Sequence, residues 1–173
     1  MSPTNSYSRL RPLNTVSRAF IALGSNLDDP ASQVRRAFEE VARLPSSRVV
    51  RRSSLYCSAP VGRLDQPDFI NAVVELETAL APRRLLAALL EIERNHGRIR
   101  EYPNSPRTLD LDILMYDDVK CDEPDLILPH PRMHQRAFVL RPLLEIVPNC
   151  HISGHGSAAE LLLLCSEQQI ERE

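Results

Sequence analysis

The sequence predicts an α+β domain with a ferredoxin-like βαββαβ core, in which an antiparallel sheet carries its helices on one face, plus additional helices toward the C-terminus. Two observations lead to this fold class. Short apolar or alternating segments occur in the order strand, helix, strand, strand, helix, strand between residues 19 and 115. The chain of 173 residues is also long enough to bury one hydrophobic core.

The first predicted strand is the apolar run Ala19–Leu23, which the turn-forming residues Gly24–Asn26 bring to an end. A helix is predicted next because Asp29 suits an N-cap and Pro30 suits the first helical position. Apolar residues then recur at helical spacing up to Ala42.

The second and third strands are predicted at Val49–Tyr56 and Phe69–Thr78. The loop between them, Cys57–Pro67, is long for a hairpin connection, and long loops often carry function. The second helix is predicted at Pro82–Asn95 because leucines form an apolar stripe there, and Gly97 suits its C-terminal cap.

The remaining segments complete the predicted order. They are an irregular stretch at Arg98–Pro106, a strand beginning near Asp110, a small strand pair near Val119, a proline-rich segment at Pro124–Pro131, a helix near Gln135–Leu144 and a C-terminal helix at Ala158–Gln169.

The most informative segment reads Arg-Thr-Leu-Asp-Leu-Asp from residue 107 to residue 112. Side chains alternate between the faces of a strand, so Asp110 and Asp112 lie on one face, roughly 7 Å apart, with Leu111 on the other. Two neighbouring carboxylates repel each other unless a cation compensates, and Mg²⁺ prefers oxygen ligands. The pattern therefore predicts a metal pair, with two exposed aspartates on an edge strand as the alternative.

Two further groups of side chains are candidates for ligand binding. Arginines precede the aspartate pair, and an aromatic residue and an amide lie on a separate strand. The chain has five glycines and no glycine-rich phosphate-binding motif, so side chains such as Arg98, Arg100 and Arg107 are the candidates for binding phosphate. Phe69 and Asn71 share a strand face, which suits a flat heterocycle as well as it suits a core Phe beside an edge Asn.

Composition narrows the function class. The net charge of −2 offers no global field for nucleic acid or membranes, and no apolar stretch is long enough to span a bilayer. Four widely spaced cysteines indicate a reducing cytoplasm rather than a disulfide framework. Residues 1–18 contain no acidic residue and no apolar signal core, and we expect a disordered extension before a single domain at 19–173.

Several segments together resemble one family, the 6-hydroxymethyl-7,8-dihydropterin pyrophosphokinases of folate biosynthesis. They occur in the family's order and are Ala22–Leu27, Asp65–Asn71, Gly97–Arg100, Pro106–Leu114, Leu128–His134 and Arg136–Phe138. The resemblance implies a ferredoxin-like fold and transfer of diphosphate from ATP to the pterin hydroxymethyl group, with release of AMP. It also implies a monomer with small-molecule substrates.

The resemblance implies roles for individual residues. Asp110 and Asp112 would bind two Mg²⁺ ions, and both would be catalytic together with Arg98 and Arg107. The residues implied to contact ATP are Glu93, Arg98, Arg100, Arg107, Ile113, His130 and Arg136. Those implied to contact the pterin are Ser58, Ala59, Pro60, Val61, Phe69, Asn71, Asp110 and Phe138.

The second loop departs from the family's pattern. Pro103 stands where the family usually has an arginine, and Ser105 replaces a usual glycine. Because both changes stiffen the loop and one removes a phosphate partner, we expect an active enzyme with slower loop closure. Two alternatives stay open: a silent module that binds pterin without turnover, and a different two-metal phosphotransferase or nuclease.

Overall fold

An antiparallel sheet of six strands forms the centre of the molecule in the computed structural model, which describes residues 15–62, 65–97 and 105–173. The strands and helices follow one another as β1 (Ser17–Ser25), α1 (Pro30–Ala42), β2 (Ser47–Arg52), β3 (Tyr56–Ser58), β4 (Phe69–Thr78), α2 (Pro82–Asn95), β5 (Asp110–Tyr116), β6 (Cys121–Glu123), β7 (Leu126–Leu128), α3 (Ala137–Ile146), β8 (His151–Ile152), β9 (Gly156–Ser157), α4 (Ala158–Leu163) and β10 (Ile170–Arg172).

The main sheet has the strand order β10-β3-β4-β1-β5, and β2 also pairs with β4. All of these pairs are antiparallel. The predicted order of the core holds except that three strands, and not two, lie between α1 and α2; the bounds of β4 and α2 are as predicted. The strand β1 begins at Ser17, so the last two residues of the predicted N-terminal extension belong to the sheet.

The predicted second strand, Val49–Tyr56, was wrong as a single element because it consists of β2 and β3. Ser53 lies between them, and its N–H donates to the Val73 carbonyl at 2.9 Å. The Val73 N–H then donates to the Ser53 hydroxyl at 2.9 Å rather than to a backbone carbonyl. A side chain therefore replaces one rung of the ladder, and the strand is interrupted while both halves stay on β4.

Helices cover both faces of the sheet, so the prediction of helices on one face holds for α1 and α2 alone. One hydrophobic cluster joins α1 and α2 to the sheet residues Ile21 and Leu23. The second cluster packs α3 and α4 against Phe20, Val73 and Leu114 on the opposite face. The physical reason is the alternation of β1, whose successive side chains are apolar on both faces and must both be buried.

The predicted C-terminal helix at Ala158–Gln169 was wrong in length, because α4 ends at Leu163. The chain then turns and runs along β3 as β10, with Ile170 opposite Ser58. Hydrogen bonding to the open edge of β3 favours this extended conformation over continued helix. Two other corrections are small: β7 lies inside the predicted proline-rich segment, and α3 begins two residues later than predicted.

Candidate active site

A cavity of about 280 Å³ opens where the end of β1, the strands β4 and β5, and the start of α3 meet. The segment that follows β3 closes one side of it. The charged, amide and aromatic side chains that line the cavity come from β4, β5, α3 and the loops beside them; they are Gln66, Phe69, Asn71, Arg107, Asp110, Asp112, Arg132, Arg136 and Phe138. Ser58, at the end of β3, and the residues after it, Ala59, Pro60 and Val61, also line the cavity.

The two aspartates of β5 lie on the same face of the strand and both line the cavity, whereas Leu111 and Ile113 are 3% and 5% exposed on the other face. The predicted alternation is therefore confirmed. Register places Asp110 opposite Gly24 and Asp112 opposite Ala22, two small residues of β1 that also line the cavity. Small neighbours leave the space beside the carboxylates open to a ligand.

Arg107 compensates one of these charges. Its Nη1 donates to Oδ2 of Asp110 at 2.6 Å, and both side chains are about four-fifths buried. A charge-assisted bond of this kind is stronger than one between neutral groups, and it fixes the position of the guanidinium at the edge of the cavity. The geometry brings together the arginine and the carboxylate that the sequence placed three residues apart.

Asn26 is a site residue that our reading of the sequence did not single out. Its side chain is almost fully buried, and its Oδ1 accepts the Arg107 N–H at 2.9 Å. Its Nδ2 donates to Oε1 of Gln66 at 3.1 Å and to the Pro67 carbonyl at 3.2 Å. One amide therefore joins the end of β1 to the two chain segments that flank the cavity. The sequence signals for Asn26 were its place directly after an apolar strand and within the Ala22–Leu27 segment that resembles the family.

The opposite part of the cavity combines two aromatic rings with an amide. Phe69 and Asn71 lie on the same face of β4, and Phe138 faces the cavity from α3. Asn71 is 4% exposed, and its Nδ2 donates to the Ser58 hydroxyl at 2.8 Å. This bond fixes the orientation of the amide, so that a flat ring between the phenylalanines would meet it edge-on.

Cationic side chains lie between the aspartates and the aromatic part. Arg136 places its guanidinium 5.4 Å from the centre of the Phe138 ring, a cation–π contact. Burial lowers the pKa of Arg136, as does the nearby Arg132, while Asp112 and Asp110 raise it. Arg132 also lines the cavity and was not among the predicted site residues, although it belongs to the Pro-Arg-Met-His segment that the sequence reading quoted.

Three predicted ATP contacts lie beside the cavity rather than in its lining. Burial, followed by the charges of Arg136 and Arg132, lowers the pKa of His130 to about 4, so this imidazole is neutral at pH 7. Glu93 is 2% exposed, and its carboxylate accepts the Leu111 N–H at 2.7 Å. The Ile113 side chain belongs to the core beneath the sheet. Arg98 and Arg100, and also Pro103, lie outside the described residues.

The carboxylate pair suits Mg²⁺ better than it suits a metal ion whose ligands all come from protein side chains. Among residues 15–62, 65–97 and 105–173, no group of three or more His, Cys, Asp or Glu side chains converges on one point. A Mg²⁺ site usually takes one or two carboxylates and completes its shell with water and substrate phosphate. Asp110 and Asp112 supply that number of oxygen ligands at a cavity wall.

The described part of the chain contains no helix with the length and apolar character needed to span a bilayer. Residues 20–148 match the model of a family described as 7,8-dihydro-6-hydroxymethylpterin-pyrophosphokinase. A 2-amino-4-hydroxy-6-hydroxymethyldihydropteridine pyrophosphokinase of Pseudomonas aeruginosa is 45% identical over 157 residues, which cover 91% of this chain and 97% of that protein. The protein of the same name from Haemophilus influenzae is 45% identical over 144 residues, which cover 83% of this chain and 90% of that protein.

Solved structures agree with this result at the level of the fold. The wild-type Plasmodium falciparum HPPK-DHPS with pterin and p-hydroxybenzoate has a TM-score of 0.67 and 16% sequence identity, over 87% of this chain and 43% of that one. The family match spans three quarters of the chain, and the bacterial relatives match along nearly their whole length. The chain therefore belongs to the 7,8-dihydro-6-hydroxymethylpterin-pyrophosphokinase family.

Proposed function

We propose that this protein transfers the terminal diphosphate of ATP to the hydroxymethyl group of 6-hydroxymethyl-7,8-dihydropterin, with release of AMP, as a step of folate biosynthesis. One observation carries the proposal beyond family membership. A paired-carboxylate strand and an aromatic-amide pocket open into the same cavity, with arginines between them. Such a cavity can hold a metal-bound polyphosphate and a flat heterocycle side by side.

The pterin is assigned to the aromatic part. Phe69 and Phe138 offer ring faces for stacking, and stacked aromatic pairs contribute roughly 0.5–1.5 kcal/mol beyond the burial of their area. The amide of Asn71, which Ser58 orients, is placed to pair with the heterocycle's edge. Ala59, Pro60 and Val61 complete the wall and exclude water.

The triphosphate is assigned to the charged part. Asp110 and Asp112 would hold two Mg²⁺ ions, and the ions would neutralise phosphate charge while the β-phosphorus is attacked. The number of ions is part of this proposal. Arg107 and Arg136 line the same cavity and suit phosphate oxygens through their planar forks. We assign the remaining ATP contacts to Glu93, Arg98, Arg100, Ile113 and His130, and add Arg132 to them.

In the proposed reaction, cavity residues act on the groups that form and break bonds. The hydroxymethyl oxygen loses its proton to solvent and forms a bond to the β-phosphorus, as the bond between that phosphorus and the bridging α-phosphate oxygen breaks and AMP leaves with that oxygen. Negative charge moves toward the departing AMP, where Arg107 and Arg136 stabilise it. The hydrogen bond from Arg107 to Asp110 links the carboxylate side of the site to its cationic side.

Broader features complete the proposal. The strand order β3-β4-β1-β5, with α1 and α2 on one face, supports a ferredoxin-like core. Because the sheet begins at Ser17, we place the start of the pyrophosphokinase domain there rather than at residue 19. We further propose a cytoplasmic monomer that acts on small molecules and not on nucleic acid.

AMP release from ATP and Mg²⁺, measured with and without 6-hydroxymethyl-7,8-dihydropterin, tests the function. We expect AMP to form only when the pterin is present. Formation of ADP instead would mean that the γ-phosphorus is attacked and would overturn the proposal. Pterin binding without AMP would identify a silent binding module, and ATP consumption that is independent of pterin would identify a different phosphotransferase.

A further inference from the structure

The segment after α4 reaches back to the start of α3, where two of the cavity's side chains originate. Oε1 of Gln168 accepts the backbone N–H of Ala137 at 2.9 Å. Its Nε2 donates to the backbone carbonyl of Gln135 at 2.8 Å. A single side-chain amide therefore joins the last turn before α3 to the first residue of that helix.

The start of α3 needs such a partner. The first N–H groups of a helix have no acceptor within the helix, and a side chain at the N-cap usually supplies one. The N-cap here is Arg136, whose side chain makes no capping hydrogen bond. Gln168 supplies the acceptor from a distant part of the sequence. The N–H that it binds belongs to the residue between Arg136 and Phe138, both of which line the cavity.

Phe138 is partly buried: it packs against the second hydrophobic cluster and also lines two cavities. A second cavity, of about 260 Å³, lies beyond Phe138 and Pro60, and Gln168 lines it. Phe138 and the Ser58–Val61 segment line both cavities and therefore form the partition between them. A side chain that is packed on only part of its surface makes fewer close contacts than a core residue and is held less firmly in one position. Its orientation then depends strongly on how its backbone is anchored.

The same C-terminal segment holds the other half of the partition. The strand β10 follows Gln168 closely and pairs with β3, placing Ile170 opposite Ser58 and Glu171 opposite Cys57. Ser58 is the first residue of the Ser58–Val61 wall and also accepts the Asn71 amide. Both walls of the aromatic pocket are thus hydrogen-bonded to residues 168–172. This C-terminal segment lies outside residues 20–148, the part of the chain that the family model matches.

We propose that Gln168 is a positioning residue of the pterin pocket: by capping α3 it sets the orientation of Phe138 toward the bound heterocycle. This inference rests on the proposed function. Phe138 is short and stiff, so a small shift of its backbone moves the ring away from the ligand. Arg136 is long and flexible and shares phosphate binding with other arginines, so ATP binding is less sensitive to the same shift.

The test compares three full-length variants with the wild type. Gln168→Ala removes both bonds, whereas Gln168→Glu keeps the acceptor for the Ala137 N–H and loses the donor to Gln135. Gln169→Ala is the matched control, because it removes the same side chain from an exposed neighbour that lines the same second cavity. Each variant is titrated with 6-hydroxymethyl-7,8-dihydropterin by calorimetry and assayed for AMP release at varied pterin and ATP concentrations.

We expect Gln168→Ala to raise the pterin Kd and KM about tenfold, with the KM for ATP changed less than about twofold. Gln168→Glu should lie between this variant and the wild type, and Gln169→Ala should match the wild type. Amide hydrogen exchange at Ala137 should accelerate in Gln168→Ala and less in Gln168→Glu.

Two results would overturn the inference while the proposed function stands. One is a Gln168→Ala variant with wild-type pterin affinity. The other is a parallel loss of kcat and of both affinities together with a lower unfolding midpoint, which marks a purely structural role. A wild-type protein that binds no pterin would instead defeat the proposed function and this inference with it.

Discussion

Replacing Asn26 with alanine is the most direct test of how the cavity is held together. The side chain is 1% exposed and makes three hydrogen bonds, one to the Arg107 N–H and two to Gln66 and Pro67. A buried hydrogen bond contributes about 1 kcal/mol net, and an unpaired buried donor costs somewhat more. We therefore expect Asn26→Ala to lower the free energy of unfolding by roughly 3 kcal/mol.

The same substitution should reduce catalysis. Without its side-chain oxygen, residue 26 no longer accepts the Arg107 N–H, whereas the bond from the residue 26 N–H to the Arg107 carbonyl, 3.1 Å long, survives in the variant. Arg107 carries the guanidinium that is bonded to Asp110, so a looser backbone misplaces both groups. A displacement of about 1 Å in a catalytic group can cost on the order of 100-fold in rate. We expect turnover to fall at least tenfold.

Urea unfolding and AMP release measure the two effects. Asn95→Ala is the matched control because Asn95 is exposed on α2, and it should change the free energy of unfolding by less than about 0.5 kcal/mol. The reasoning is refuted if Asn26→Ala loses less than about 1 kcal/mol of stability or retains wild-type turnover. A small loss of stability would mean that water replaces the lost hydrogen bonds. Wild-type turnover would mean that the position of Arg107 does not depend on Asn26.

Three further substitutions test the aspartate pair, the aromatic wall and a partly buried tyrosine. Asp110→Asn and Asp112→Asn should each reduce AMP release more than about 100-fold, since both side chains face the cavity, and Asp112→Asn should leave the urea midpoint unchanged; Asp118→Asn, on the exposed turn after β5, should change neither AMP release nor the urea midpoint. Phe138→Ala should raise the pterin Kd about tenfold in calorimetry, and an unchanged Kd would remove Phe138 from the pocket. Tyr56→Phe should lower the free energy of unfolding by about 1–2 kcal/mol at pH 7, because the hydroxyl donates to Glu145 at 2.6 Å. Burial raises the pKa of Glu145, but hydrogen bonds from Tyr56 and Ser54 outweigh burial and hold it below its ordinary 4.5. That stabilisation is present above pH 4.5 and is lost as the pH falls through the lower folded value, so the difference between Tyr56→Phe and wild type should shrink in acid unfolding curves.

Sequence reasoning was most successful where a local pattern has one structural solution. The leucine stripe at Pro82–Asn95 and the alternation at Phe69–Thr78 gave both elements with their observed bounds. Asp29 is the N-cap of α1, and its side chain accepts the Ser32 N–H at 3.3 Å as capping requires. In each case residues close in sequence supply the partners that decide the conformation.

Errors arose where the deciding partner is distant in sequence. The break after β2 depends on Val73, which bonds to a serine side chain twenty residues earlier. The short α4 depends on the open edge of β3, which favours extended chain at Ile170–Arg172. Secondary-structure propensity does not include either effect, because it depends on a residue and its neighbours along the chain.

The sequence by itself determined the α+β class with an antiparallel sheet, the face of β5 on which Asp110 and Asp112 lie, and the family to which the chain is similar. The periods of helix and strand are properties of the backbone, and they assign faces without any tertiary contact. Only the tertiary structure decided that Asn26 holds the backbone of Arg107, that Arg132 lines the cavity and that Gln168 caps α3. Those roles depend on contacts between segments up to 81 residues apart, and no local pattern along the chain specifies which distant segments meet.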